Sequence, residues 1–269
     1  METTQSDKGV ALITGASGGI GACYADRLAR RGYDLILVAR DLKKLQAQAD
    51  RIYQDTGRYA EFIGADLTTL DGQRRVGQVL ETDSRISLLL NNAGVGATQT
   101  LIESDVNRLC KMIQLNVIAV THLARAAAPA FVARGRGTII NIASIVALAP
   151  ELLNGVYAAS KSFVLTLTQS LHHELAAKGI QVQAVLPGAT STDFWQVAGT
   201  PVHKLPSQIV MPVDAMVDAA LVGLDRKELV TIPSLPDAAD WERFDTARKA
   251  LGPNLSRSSP APRYRAPVA

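Results

Sequence analysis

Apolar and polar positions along the chain fall into two rhythms that take turns. Short runs of β-forming residues recur at 10–14 (VALIT), 35–39 (LILVA), 59–63 (YAEFI), 86–90 (ISLLL), 137–142 (GTIINI), 180–185 (IQVQAV) and 229–232 (LVTI). Between them lie segments around 19–31, 41–55, 71–82, 104–133, 155–178 and 213–226 with apolar residues at helical spacing, and another follows at 237–250. Several runs are apolar throughout rather than alternating, as strands covered on both faces require. Strict strand–helix alternation predicts an α/β fold built on a doubly wound parallel sheet, with about seven strands and helices on both faces. One domain is expected over 1–251. Within it, residues 188–212 carry three prolines and weak periodicity, so this long connection is expected to be a substrate loop. The segment 252–269, rich in Pro, Ser and Arg, is expected to be a mobile tail.

Composition narrows the class. With 269 residues, 47% apolar and 20% charged, the chain has ordinary globular content and enough length for a large core. The net charge of +3 is small and unclustered, which argues against a nucleic-acid partner. Cys23 and Cys110 show no CxxC or metal-ligand spacing and are expected to be buried, reduced thiols, with no metal site. No uninterrupted apolar run approaches the roughly 20 residues that a membrane helix needs. METTQSDK opens the chain without a basic-then-apolar signal pattern, so a soluble cytoplasmic protein is expected.

Candidate chemistry begins at TGASGGIG, residues 14–21, which follows the first strand and runs into the first helix. Glycines there let the backbone approach a ligand, and the helix N-terminus offers free N–H groups to a pyrophosphate. The second strand ends LILVAR. A dinucleotide site places its ribose-binding residue here, and Arg40 suits a 2′-phosphate where an acidic residue would suit a 2′-hydroxyl. Asp41 reads as the cap of the next helix. In the helix 104–133, Val106, Leu109, Ile113, Val120 and Ala127 form an apolar stripe on which Asn116 also falls. A buried amide costs about 1–3 kcal/mol unless it is paired, so Asn116 is either a satisfied structural residue or a functional one. Ser144 follows the strand 137–142 at the carboxyl edge of the sheet, where open α/β folds bind ligands. Tyr157 and Lys161 stand four residues apart on one helix face. At about 4 Å and an effective dielectric near 20, an ammonium contributes roughly 4 kcal/mol to a phenolate, enough to bring a phenol towards neutral pH.

These residues resemble the short-chain dehydrogenases/reductases in their compact single-domain form, from about Val10 to Ile232. TGASGGIG is similar to that family's TGxxxGxG loop, and Asp66 in ADL to its adenine-contacting site. NNAG at 91–94 is similar to its structural motif, Asn116, Ser144 and YAASK (157–161) to its catalytic set, and PGATST (187–192) to its nicotinamide-side loop. The resemblance implies a Rossmann-type fold and a carbonyl–alcohol oxidoreductase using NADP(H) in preference to NAD(H). Tyr157 would be the proton donor, Ser144 the partner of the substrate oxygen, Lys161 the group that lowers the tyrosine pKa and holds the ribose, and Asn116 the anchor of a water relay. Cofactor contacts are implied at Gly15, Ser17, Gly19, Ile20, Arg40, Asp66, Leu67, Asn91, Asn92, Ala93, Gly94, Tyr157, Lys161, Pro187, Gly188 and Thr192. A homodimer or homotetramer is implied too. Small and apolar residues beyond one core stripe on the catalytic helix (Ala158, Ala159, Ser162, Phe163, Leu167, Ser170) agree with subunit packing, or with a thorough core. Val146, Leu148, Leu152, Phe194, Trp195 and Val197 are expected to border the pocket and point to an apolar carbonyl compound or its alcohol. Competing readings are an NADPH-binding regulator without turnover, an NAD-dependent alcohol dehydrogenase, and an epimerase or dehydratase of the extended relatives. The TGASGGIG spacing and short chain argue against the last.

Overall fold

The computed structural model describes Ser6 and residues 8–264. The chain divides into two compact units, one ending at Pro233 and one beginning at Ser234. The first unit is the α/β fold that the sequence patterning predicts. Its strands are β1 (Val10–Thr14), β2 (Asp34–Ala39), β3 (Ala60–Gly64), β4 (Ile86–Asn91), β5 (Gly137–Ile142), β6 (Ile180–Val185) and β7 (Val230–Thr231). They form one parallel sheet in the order β3-β2-β1-β4-β5-β6-β7. The helices are α1 (Gly19–Arg30), α2 (Leu42–Thr56), α3 (Leu70–Thr82), α4 (Val106–Ile113), α5 (Val120–Arg134), α6 (Gly155–Leu175), α7 (Phe194–Ala198) and α8 (Val213–Asp225).

Both faces of the sheet are covered, which explains the uninterrupted apolar runs. In β1, Ala11 and Ile13 pack into one core with α1, α2 and α8, while Val10 and Leu12 pack into the other with α3 and α5. Leu35 and Leu37 against Ile36 and Val38 repeat the division in β2. Arg27 of α1 and Arg31, the residue just after that helix, reach Asp218 and Asp225 of α8 in forked ion pairs, fastening two helices on the same side. The order of the sheet reverses between β1 and β4, and their carboxyl ends open the crevice where such folds bind ligands.

Three expectations change. The helix expected over 104–133 is interrupted by one turn of wider π-helix, Gln114–Ala119, between α4 and α5. Its inward face runs through Leu109, Met112, Asn116, Ala119, Leu123 and Ala127, whereas Val106 and Ile113 of the expected stripe are exposed. The wider turn re-phases the helix so that Met112, not Ile113, shares the buried side with Asn116. Together Val106–Arg134 is long and apolar enough to cross a membrane, but from Ala119 onwards its inward face packs in the sheet's second core, and Leu109 and Met112 pack in a smaller cluster. The second change concerns the thiols: Cys110 is exposed and Cys23 half-buried. The third is the last strand, which shrinks to two residues at the sheet edge.

The second unit contains α9 (Ala238–Ala250), none of whose residues is buried. Within it the Trp241 and Phe244 rings lie 5.5 Å apart.

One glycine gives a stability test. Gly72 sits in the first turn of α3, and a methyl built on it would overlap the Asp66 backbone carbonyl. Helix propensity favours Ala over Gly by about 1 kcal/mol. Gly72→Ala is nevertheless expected to destabilise by about 1–3 kcal/mol, because the turn at Asp66 must move. Urea unfolding measures it, and an unchanged or higher midpoint would contradict the packing described.

Candidate active site

The site assembles from segments that leave the carboxyl edge of the sheet. Thr14 ends β1, and its hydroxyl accepts the backbone N–H groups of Asn92 and Ala93, each at 3.0 Å. The Asn92 carboxamide donates back to the carbonyls of Thr14 (2.9 Å) and Gly15 (3.2 Å). The glycine turn is thereby stapled to the end of β4. Gly15 and Gly19 take the left-handed backbone that side chains disfavour, with φ of +65° and +53°. Gly21 packs against the Gly15 carbonyl so closely that a Cβ would collide with it. α1 then begins at Gly19 behind Gly18, which offers no side-chain cap, leaving its first N–H groups free for an anion. Ser17 and Ile20 are half-buried in this turn. Thr192, from the loop after β6, lies over the same helix end, its side chain 3.3 Å from where a Gly19 Cβ would stand. An open cavity of about 400 Å³ borders Gly19, Ser191 and Thr192.

Arg40 is exposed at the end of β2, and among the described residues no carboxylate lies within ion-pair distance of it. It shares a neighbourhood with Asp66. Partial burial would raise the Asp66 pKa, but bonds from the Thr68 N–H (2.9 Å) and hydroxyl (2.8 Å), helped by Arg40 and Lys111, hold it below the usual value. Leu67 beside it is buried core. Asn91 goes elsewhere: its amide donates to Asn141 at 2.9 Å, and Asn141 donates to Thr168 at 2.9 Å, a buried polar ladder from β4 to α6.

Asn116, Ser144, Tyr157 and Lys161 gather at the ends of β4 and β5. The π turn directs Asn116 at the chain leaving β4, where it donates to the Val95 carbonyl (2.9 Å) and accepts the Val95 N–H (3.0 Å). It also donates to the Ser160 hydroxyl at 3.1 Å, which in turn donates to the Tyr157 carbonyl at 2.7 Å. Asn116 thus clamps the chain leaving β4 with both amide donors and one acceptor position in use. Gly94 lets two partners close in, since a Cβ there would meet Asn116 Oδ1 at 3.2 Å and Lys161 Nζ at 3.4 Å. Ser144 caps a short 3₁₀ turn and donates a long bond of 3.4 Å to the Pro187 carbonyl. Gly188 follows, its carbonyl accepting the Thr190 hydroxyl at 3.2 Å. Asn154 caps α6 through the N–H groups of Val156 and Tyr157 and donates to the Gln99 carbonyl at 2.7 Å, which sets where Tyr157 enters the site. Sequence reasoning passed over Asn154, although an asparagine just before a helix is a recognisable cap signal.

Electrostatics in the folded protein depart from the expectation built on spacing. Lys161 Nζ is buried, donates to the Ile142 carbonyl at 2.8 Å and lies 5.9 Å from the Tyr157 ring centre. Burial pushes the ammonium down to about 8. Burial also pushes the phenol up to about 12, opposed by the nearby Ser144 hydroxyl and not by Lys161. Desolvation outweighs the neighbouring cation here, because both groups disfavour charge in the same dry environment.

Of the pocket border, Val146 and Phe194 pack with Leu109, Met112, Tyr157 and Ala158 in a separate apolar cluster, joined by Val95, Ala97, Leu153 and Val156. Leu152 and Val197 are instead exposed. Leu148 is half-buried outside this cluster. Trp195 is buried, its indole N–H donating to the Thr190 carbonyl at 3.0 Å.

Comparisons with known proteins bear on this geometry. A sequence profile described as short chain dehydrogenase matches residues 9–201. The 17-beta-hydroxysteroid dehydrogenase type 3 of Homo sapiens is 35% identical over 194 residues, covering 71% of this chain and 62% of that protein. Its Mus musculus counterpart is 33% identical over 213 residues, covering 74% and 66%. The matched stretch thus spans less than two thirds of these longer relatives. Among solved structures, a short-chain dehydrogenase from Sphingobium yanoikuyae in complex with NADPH is 49% identical with a TM-score of 0.93, covering 96% of this chain and all of that one. The bulky-bulky ketone specific alcohol dehydrogenase from Comamonas testosteroni is 44% identical with a TM-score of 0.88, covering 95% and 98%.

The buried lysine predicts a pH dependence of stability. Its folded pKa, about 8, lies below the ordinary 10.5, so between those values the unfolded chain binds more protons. Stability contributed at this position therefore rises as pH increases from about 8 to 10.5. Lys161→Met is expected to lose that rise, read as a flatter urea midpoint against pH over the same window. A slope unchanged in the variant would show that the ammonium is not desolvated.

Proposed function

The chain belongs to the short-chain dehydrogenase family, and from that premise we propose that it is an NADP(H)-dependent oxidoreductase interconverting a ketone and a secondary alcohol. The observation that carries this reading is the convergence of Ser144, Asn116 and the Tyr157–Lys161 pair of α6, from three separate segments, beside Gly94 at the mouth of the crevice that the glycine turn lines. The residues fit a dinucleotide: α1 starts uncapped behind a turn that side chains would fill, and Thr192 closes over it. When bound, the nicotinamide supplies or accepts the hydride.

The protein's own groups handle the proton and the developing charge. The buried phenol of Tyr157 stays protonated at neutral pH, the form that donates to a carbonyl oxygen. Ser144 hydrogen-bonds the same oxygen as charge builds on it. Lys161 would hold the ribose hydroxyls and, with the positive oxidised nicotinamide, favour the phenolate that alcohol oxidation needs. Asn116 positions the chain leaving β4 and the start of the proton path. Arg40 would meet the 2′-phosphate, a role supported by its exposure and its lack of an acidic partner among the described residues, and by the NADPH complex of the 49% identical Sphingobium yanoikuyae structure. The substrate we propose is an apolar ketone. Support comes from the uncharged cluster around Tyr157 and from the ketone class named for the Comamonas testosteroni structure. Self-association through the exposed side of α6, where Ala159 and Phe163 lie, belongs to the same proposal.

A screen of purified protein against apolar ketones, following NADPH absorbance and repeating each hit with NADH, tests the whole reading. Two variants test its parts. A hydrogen bond to a charged group contributes about 1.5–3 kcal/mol, so Arg40→Ala is expected to weaken NADPH binding about 10- to 100-fold and NADH binding far less. Equal losses for both cofactors would remove Arg40 from the 2′-phosphate. Tyr157→Phe is expected to retain NADPH affinity and lose turnover, and a fully active variant would reject the proton-transfer scheme.

A further inference from the structure

We propose that Phe194 sets the size of the substrate on one side of the site, with Gly96 as the seat that fixes its ring; the inference rests on Tyr157 being the proton donor. The Phe194 ring stands 5.9 Å from the Tyr157 ring, tilted by 46°, and 5.7 Å edge-on from the Trp195 ring. Tyr157 is only 5% exposed, and the Phe194 ring is one of the apolar groups packed around it.

The ring is held rather than loose. α7 is latched at both ends: Trp195 donates to the Thr190 carbonyl, and the Ala198 carbonyl accepts both the N–H and the hydroxyl of Thr98 at 3.1 Å. The Thr200 hydroxyl adds a bond to Thr98 Oγ1, also at 3.1 Å. With the backbone tied, Phe194 moves chiefly by its own rotamers.

Gly96 completes the device. Its backbone is not in the left-handed region, so no turn demands glycine there. What the missing side chain supplies is room for Phe194. A methyl at 96 would overlap the ring tip Cζ and stand 3.1 Å from both Cε1 and Cε2. The yielding partner would be the far end of a side chain, so Ala at 96 shifts the ring and spares the backbone. The neighbouring Val95, Val146, Leu153 and Val156 are all apolar, so the space beside the ring suits a hydrocarbon or aryl substituent and carries no counter-charge for an ionic one.

The test compares kcat/KM for a diaryl ketone and a small methyl ketone in wild type, Phe194→Ala, Gly96→Ala and the double variant. Phe194→Ala is expected to raise the diaryl-to-methyl ratio by about 10-fold, as a change of this size in an apolar pocket does. Gly96→Ala is expected to shift the ratio in wild type, yet add little once the ring is gone, a non-additivity that a general packing role would not produce. An active wild type whose ratio stays unchanged in Phe194→Ala, or effects of the two substitutions that simply add, overturns the inference alone. A wild type that turns over neither ketone overturns the proposed function and this inference with it.

Discussion

A sheet whose strands all run one way has all its carboxyl ends on one edge, and every strand must be covered on both faces. The rest of this structure depends on that constraint. Ala11 and Ile13 face one core and Val10 and Leu12 the other, so the strands have no polar face with which to meet solvent. Segments able to carry polar chemistry leave from the single edge where Thr14, Asn91, Ile142 and Val185 end β1, β4, β5 and β6. The crowding there follows from topology, and the bonds between Thr14, Asn92 and Gly15 turn it into a defined cradle.

The same crowding explains the unusual state of the side chains around Tyr157. Lys161 and Tyr157 are both buried, and for each of them burial is the leading influence on the proton. The lysine spends a hydrogen bond on the Ile142 carbonyl, which helps a charged group to persist away from water. Neighbouring charge is a smaller influence than desolvation until a ligand changes the surroundings. The protein thus holds a protonated phenol in a dry site, a ground state suited to the proposed donation.

Asn116 shows how a local irregularity serves a distant contact. A regular helix through Gln114–Ala119 would turn at constant pitch, whereas the π turn lets the amide meet both backbone groups of Val95 and the Ser160 hydroxyl. Three bonds reward one widened turn. Through Ser160 the clamp also reaches the backbone of Tyr157, so the exit of β4 and the start of α6 are positioned together.

Much was legible in the sequence because it depends on neighbours along the chain. The apolar runs, the helical spacing, the glycine turn before α1 and the cap at Asp41 are local patterns, and the structure contains them within a residue or two. The four residues expected to act together share one place in the fold. Other features depend on residues far apart in sequence. Asn91 pairs with Asn141 on the neighbouring strand, Ile113 gives way to Met112 on the buried face, and Cys110 lies exposed. The Phe194 ring settles on Gly96, and burial, not charge pairing, sets the protons of Tyr157 and Lys161. Periodicity reports which residues prefer to be inside. Which atoms meet there, and how dry the meeting place is, was decided only when distant segments packed against one another.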